Sequence, residues 1–270
     1  MAEESSFSVI SQIWQKSGRC PKGTVPIRRI RKKDILKAHS IEEYGRKKPS
    51  LSHQQVGHLN QNLDSFVQQK NHSKAILITM GYRYLGAKGD IRVCNPSVEK
   101  EDEYSTSQVS LINGAYNDFE CVESGWAVNP SVYGDRQTRL FVYWTDPYTN
   151  NWWVQYGEKT NIGYWPPELF RAMWSNAESV EWGGEVYSST VGHTPHTATQ
   201  MGCGGFPDVF HESGSMTRMR IHDNSEFLKI PEWVDDFSDE YNCYDVMYVG
   251  DYVEDPEFYY GGPGKNPKCP

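Results

Sequence analysis

From Ala75 onward the chain is a succession of short runs rich in β-branched and aromatic residues. AILITMGYRYLG, DIRVCN, SQVSLIN, TRLFVYWT, NWWVQYG and TRMRIH are each punctuated by Gly, Pro, Asn or Asp. Strands at this spacing predict an all-β, antiparallel fold of the sandwich or barrel kind. Nine Trp and seventeen Tyr beside only moderate hydrophobicity suit pleated sheets that carry amphipathic rings. One short helix is expected in PPELFRAMW, where Pro166 or Pro167 opens it and Leu169, Phe170, Met173 and Trp174 share a face. A chain of 270 residues is long enough for one such β domain and a smaller appendage.

The appendage is marked by charge. Residues 1–70 hold 13 Lys/Arg against 6 Asp/Glu, whereas the remainder holds 14 against 29. A basic segment of +7 therefore precedes an acidic body of −15, dividing the chain into residues 1–70 and 71–270. The KDILKAHSIEEY run predicts a short amphipathic helix, and residues 46–73 lack periodicity and read as a linker ending in the sequon Asn71-His72-Ser73. A solvated arm, a nucleic-acid contact and an intramolecular latch on the acidic body all fit the basic charge. No stretch reaches the apolar length of a membrane span, and Met1 is followed by AEESSFSVISQIW, which has neither the basic start nor the apolar core of an export signal.

Six cysteines stand at 20, 94, 121, 203, 243 and 269 without a CxxC pair, so no structural metal is expected. Cys243 and Cys269 are the best disulfide candidates, because a bridge there ties down the C-terminus; the other four read as unpaired or irregular. In His193-Thr-Pro-His196, Pro195 prevents helical display of the two rings, and a solvated loop is expected rather than a metal site.

Two acids carry more information. In VESGWAV, alternation sets Glu123, Gly125 and Ala127 on one face and Val122, Trp126 and Val128 on the other. In VEWGGEVY it groups Glu181, Gly183, Glu185 and Tyr187 against Val180, Trp182 and Val186. A glycine two residues from each acid suggests room for another backbone, such as an extended substrate. Neighbouring carboxylates ionise unequally, which supplies one acid and one base for cleaving an amide or a glycosidic bond. Taken alone, each acid is better read as an ordinary surface glutamate on a half-exposed strand.

VESGWAVNPSVYGDRQTRLFVYWT, NWWVQYG, IGYWPPELF, VEWGGEVYSS, TQMGCGGFP, NCYDV and FYYGGPGKNPKCP together resemble the plant neprosin family, in order and across most of the chain. CPKGTVPIRRIRKKDIL is similar to the end of that family's activation peptide. The resemblance implies a β-sandwich glutamic endopeptidase, secreted or vacuolar and made as a precursor, that cleaves next to proline at acid pH. It places the catalytic pair on Glu123 and Glu185 and makes Tyr164, Trp126 and Trp182 the candidate aromatics for a proline ring, although alternation sets both tryptophans opposite their glutamates. The implied partners are a proline-containing peptide or protein and the chain's own N-terminal segment, with no nucleic acid, membrane or cofactor. Between YWT and NWWVQYG stands only DPYTN, where relatives carry several strands and a cysteine pair; the expected sandwich is thus shortened near 145–151, with lost activity as one outcome. A silent sandwich that binds cell-wall polysaccharide or peptide through its aromatic surface is the alternative.

Overall fold

Alternation along the strands decides the architecture. The computed structural model describes residues 31–32, 71–115, 118–144, 152–157, 160–165, 170–208, 212–225, 227–250 and 253–270. The basic segment and its expected helix thus lie almost wholly outside the described residues. The order is β1 (His72–Tyr84), β2 (Gly86–Ile91), β3 (Tyr104–Ala115), β4 (Asp118–Val128), α1 (Pro130–Tyr133), β5 (Arg139–Trp144), β6 (Trp152–Tyr156), β7 (Thr160–Trp165) and β8 (Ala177–Tyr187). β9 (Gly214–His222), β10 (Leu228–Lys229), β11 (Asp235–Ser238), β12 (Asp245–Val249) and β13 (Glu257–Gly261) follow.

Pairing is antiparallel throughout. A six-stranded sheet runs β11-β1-β8-β3-β4-β5, and a second runs β10-β9-β13-β12 with β2 on the free edge of β9. β6 and β7 form a separate two-stranded sheet. One face of the large sheet supplies Ala75, Leu77, Val122, Val180, Trp182 and Val186 to a core completed by Met216, Met219, Ile221, Phe258 and Tyr260 of the second sheet. Each large apolar side chain buried there contributes roughly 1.5–3 kcal/mol. The result is a β-sandwich with one short described helix.

β9 shows how a strand keeps its core face. Met216, Met219 and Ile221 are all buried although their spacing breaks strict alternation. A bulge between the pairs Lys88↔Arg220 and Asp90↔Thr217 absorbs the extra residue, and Arg218 takes φ 50° there. Without it Met219 and Ile221 would turn to solvent.

Four local expectations are corrected. The described helix is α1, where Asn129 accepts from the Val132 N–H, Pro130 opens the helix, and Gly134 at φ 79° closes it; residues 166–169 of the expected helix lie outside the described residues, and its described remainder is not helical. Residues 170–176 form bends and turns because outside groups claim their backbone. Glu120 accepts the N–H groups of Arg171, Ala172 and Met173, and the Met173 carbonyl accepts Trp152 Nε1. Phe170 and Met173 are buried while Trp174 is exposed, so they share no face. β1 begins inside the expected linker, with His72 and Ser73 already buried, and β2 ends at Ile91, short of the rest of DIRVCN. Finally, Cys94 and Cys203 are not unpaired but form a disulfide, as do Cys243 and Cys269; Cys121 is buried and lies outside both bridges.

Candidate active site

β3 lies between β4 and β8, so each of its residues meets two partners. Ser110 is level with Glu123 on one side and Glu181 on the other; Gln108 is level with Gly125 and Gly183; Thr106 is level with Ala127 and Glu185. All three rows lie on the face opposite the sandwich core. Glu123 and Glu185 thus share one face, on the two strands that flank β3 and at levels four residues apart. Their Cα atoms are on the order of 16 Å apart by strand spacing and rise. In register Gln108 falls between their two levels on β3, with a glycine on either side, while the Glu185 carboxylate is held by Tyr104 and His72 at the level of Tyr187.

Neither acid is a half-exposed surface residue, since Glu123 is 8% and Glu185 3% exposed. Ser110 Oγ donates to Glu123 Oε1 at 3.2 Å. Tyr104 Oη donates to Glu185 Oε1 at 2.8 Å, and His72 Nδ1 stands 2.8 Å from the same oxygen. Tyr187 stacks on Tyr104 at 5.3 Å and meets the His72 ring edge-on at 5.0 Å, which fixes these two partners of Glu185 in place. An Nδ1–H on His72 makes that contact a hydrogen bond and leaves Nε2 as a bare acceptor; Nε2 is buried with no hydrogen-bond partner.

The face carries a third acid and a cation. Glu181 is level with Glu123, closer in register than Glu185, and its Oε2 lies 2.9 Å from Lys74 Nζ. Lys74 is itself level with Glu185. Burial works against the Lys74 ammonium, but Glu181, Glu185 and Glu123 outweigh it and hold its pKa far above the ordinary lysine value. The Lys74 backbone N–H donates to Asp239 Oδ2 at 2.7 Å, and burial raises the Asp239 pKa to about 6.

The glycines beside the acids turn out to serve the sheet itself. A Cβ on Gly125 would stand 1.9 Å from Ser107 O, and one on Gly183, at φ 155°, would stand 2.2 Å from Ala75 O. The close backbone is that of the neighbouring strand, yet the result is still bare ground on both sides of Gln108.

The expected aromatics do not join this face. Trp126 and Trp182 are 3% and 0% exposed on the opposite side, their indole N–H groups donating to Arg92 O and Lys88 O, so they are core residues. Alternation already pointed that way. Tyr164 is 53% exposed on the β6–β7 sheet, 4.8 Å from Trp153, and apart from the acid-bearing sheet. Sequence reasoning missed Gln108, His72, Tyr104 and Lys74. The polar period-two series Thr106, Gln108, Ser110 was the available signal, because it marks a polar strand face beside two acid-bearing strands.

His196 is buried rather than solvated, whereas His193 is exposed. Nδ1 of His196 contacts Thr197 O and Nε2 contacts Glu240 at 3.2 Å; burial opposes the imidazolium, but the carboxylate prevails and raises the His196 pKa. His196, Cys243 and Cys269 lie within 4.8 Å of one another, but the disulfide occupies both sulfurs and leaves a metal one ligand. A cavity of ~310 Å³ opens beside them, lined by His196, Asp239, Glu240 and Lys268 among others and by none of the acids on the β3 face. Among the described residues no helix is long and apolar enough to cross a membrane.

Fold and site together define a β-sandwich protein with paired acids on one sheet face. The neprosin family model matches residues 101–150 and 145–263, more than half of the chain, and the neprosin activation peptide model matches residues 1–77. The chain therefore belongs to the neprosin family, as a neprosin-type peptidase domain with its activation peptide. The two matched stretches of the domain meet where the sequence is expected to be shortened.

Proposed function

We propose that this protein is a glutamic endopeptidase that cleaves next to proline at acid pH, using water activated between Glu123 and Glu185. The observation that carries the reading is their placement on one shielded sheet face, either side of a row in which two glycines leave a path for an extended peptide. Glu185 is the base: a hydroxyl donor, an imidazole and the nearby Lys74 all favour its carboxylate form. Glu123, which accepts the Ser110 hydroxyl, is the acid that protonates the leaving amine. Glu181 is tied up by Lys74 and acts as a spectator.

The basic segment serves as a latch on the acidic body, released as carboxylates protonate. A purified precursor that stays intact and inactive after acid incubation would sink the latch. Two disulfides suit secretion into an oxidising compartment.

The deciding experiment is cleavage of a proline-containing peptide at acid pH. Glu123→Gln and Glu185→Gln should each abolish it and Glu181→Gln should not; activity surviving in either of the first two ends the assignment. A second reading rests on the exposed Trp153–Tyr164 pair, which is suited to stacking on sugar rings. It predicts binding of the parent to cell-wall polysaccharide, with no cleavage.

A further inference from the structure

We infer that Gln108 is a catalytic residue of this site, its side-chain amide binding the scissile peptide group and stabilising the oxyanion formed there. The inference rests on the Glu123–Glu185 reading above and assigns that site a third reacting group.

Position is the first argument. Across the sheet, the row through Gln108 reads Ile76, Gly183, Gln108, Gly125, Phe141. Its polar tip stands alone between two bare positions, one level from Glu123 and one from Glu185. A peptide carbonyl presented to both acids must pass over this residue. The bareness is enforced, because the approach of Ser107 O and Ala75 O forbids a side chain at either glycine.

The second argument is an unpaid hydrogen bond. Gln108 is 3% exposed, and its Oε1 is buried with no hydrogen-bond partner. More than nine in ten buried polar groups are satisfied, and an orphan costs about 1–3 kcal/mol. Whichever way the amide is turned, one end waits for a partner that the sheet does not provide. Thr106 and Ser110, two residues away on the same strand face, do not share this condition: each hydroxyl donates within the sheet, to Glu185 O and Glu123 Oε1.

The chemistry fits the gap. Water oxygen attacks the carbonyl carbon while Glu185 takes its proton, and the C=O electron pair moves onto oxygen. Nε2–H of Gln108 donates to that oxygen as the charge appears, and Oε1 accepts a substrate backbone N–H. The oxygen pair then returns, the C–N bond breaks, and Glu123 delivers its proton to the leaving nitrogen. An amide does not titrate, so it holds this role across the acid range in which carboxylates change state.

Gln108→Met keeps the side chain's length and removes both hydrogen-bonding ends. Its kcat on a proline-containing peptide should fall by about 10²–10³-fold, with KM within about 3-fold of the parent. The same variant should melt about 2–5 °C higher, because it removes an unsatisfied buried group. Gln108→Asn, which withdraws the amide by one methylene, should lose kcat to a similar extent. A folded variant of either kind with kcat within about 5-fold of the parent overturns the inference, and so does failure of both to fold, which would make the amide a structural element. If Glu123→Gln and Glu185→Gln are dead while Gln108→Met is active, Gln108 alone is refuted. If all of them retain activity, or the parent cleaves nothing, the glutamic-peptidase reading fails with it.

Discussion

Glu103 and Glu185 are almost equally hidden, at 1% and 3% exposure, yet they sit in opposite surroundings. Hydroxyls from three positions converge on Glu103: Ser188 at 2.7 Å, Thr197 at 2.9 Å, and Thr199. Burial would raise the Glu103 pKa, but these donors outweigh it and hold the carboxyl below its usual range. Around Glu185, by contrast, the neighbours themselves are incomplete, with His72 Nε2 and Gln108 Oε1 both buried and unpartnered. A carboxylate whose hydrogen bonds are all filled from within knits segments together. One set among unfilled groups is placed for something that arrives from outside.

That contrast can be broken by experiment, and the largest effect belongs to the open cluster. Glu185→Gln should lower cleavage of a proline-containing peptide by at least about 10³-fold, roughly 4 kcal/mol in barrier, while moving the chemical-denaturation midpoint little. A variant that unfolds as readily as it loses activity would place Glu185 with the structural acids. Glu103→Gln should do the reverse. It replaces an acceptor of three hydroxyls with a group that is half donor, and should cost about 2–4 kcal/mol of folding stability. Cleavage per folded molecule should stay near the parent value, and a stable, inactive Glu103→Gln would erase the distinction.

A smaller effect sharpens the boundary between the two regions. Asp239, bonded to the backbone of Lys74, has a folded pKa of about 6, raised from an ordinary value near 4. The folded protein therefore holds this proton more tightly than the unfolded chain. Stability from the group is full below about pH 4 and is lost as pH rises to about 6, up to ~3 kcal/mol in all. Asp239→Asn should melt increasingly above the parent between pH 4 and 7, with a constant gap thereafter. A gap that does not change with pH would remove Asp239 from the account. The smallest effect is expected at Tyr164→Ala, exposed and apart from the acids: stability within about 0.5 kcal/mol and cleavage within about 2-fold. A large rise in KM would return Tyr164 to the substrate path.

Much of this was legible in the residues. Alternation alone assigned Glu123, Glu181 and Glu185 to one face and Trp126 and Trp182 to the other, because strand period two is a property of the backbone. What it could not supply was register. That Glu181 rather than Glu185 is level with Glu123, and that Gln108 falls between the pair, depends on how β4 and β8 align on β3, a non-local choice. Lys74 was hidden for the same reason, 107 residues from the acid it bonds. The described end of the PPELFRAMW segment departs from the expected helix because its apolar spacing ignored Glu120, which takes the backbone donors of Arg171, Ala172 and Met173 from 51 to 53 residues away. Cys94 and Cys203, 109 positions apart and without a motif, gave no local sign of their bond.

That bond has a consequence for durability. Its 109-residue loop contains β3, β4 and β8, and with them Glu123, Gln108, Glu181 and Glu185. A single cut anywhere between Cys94 and Cys203 yields two polypeptides that remain one covalent molecule, with the acid-bearing strands still hydrogen-bonded to their neighbours. The protein can thus be nicked once within that loop without coming apart.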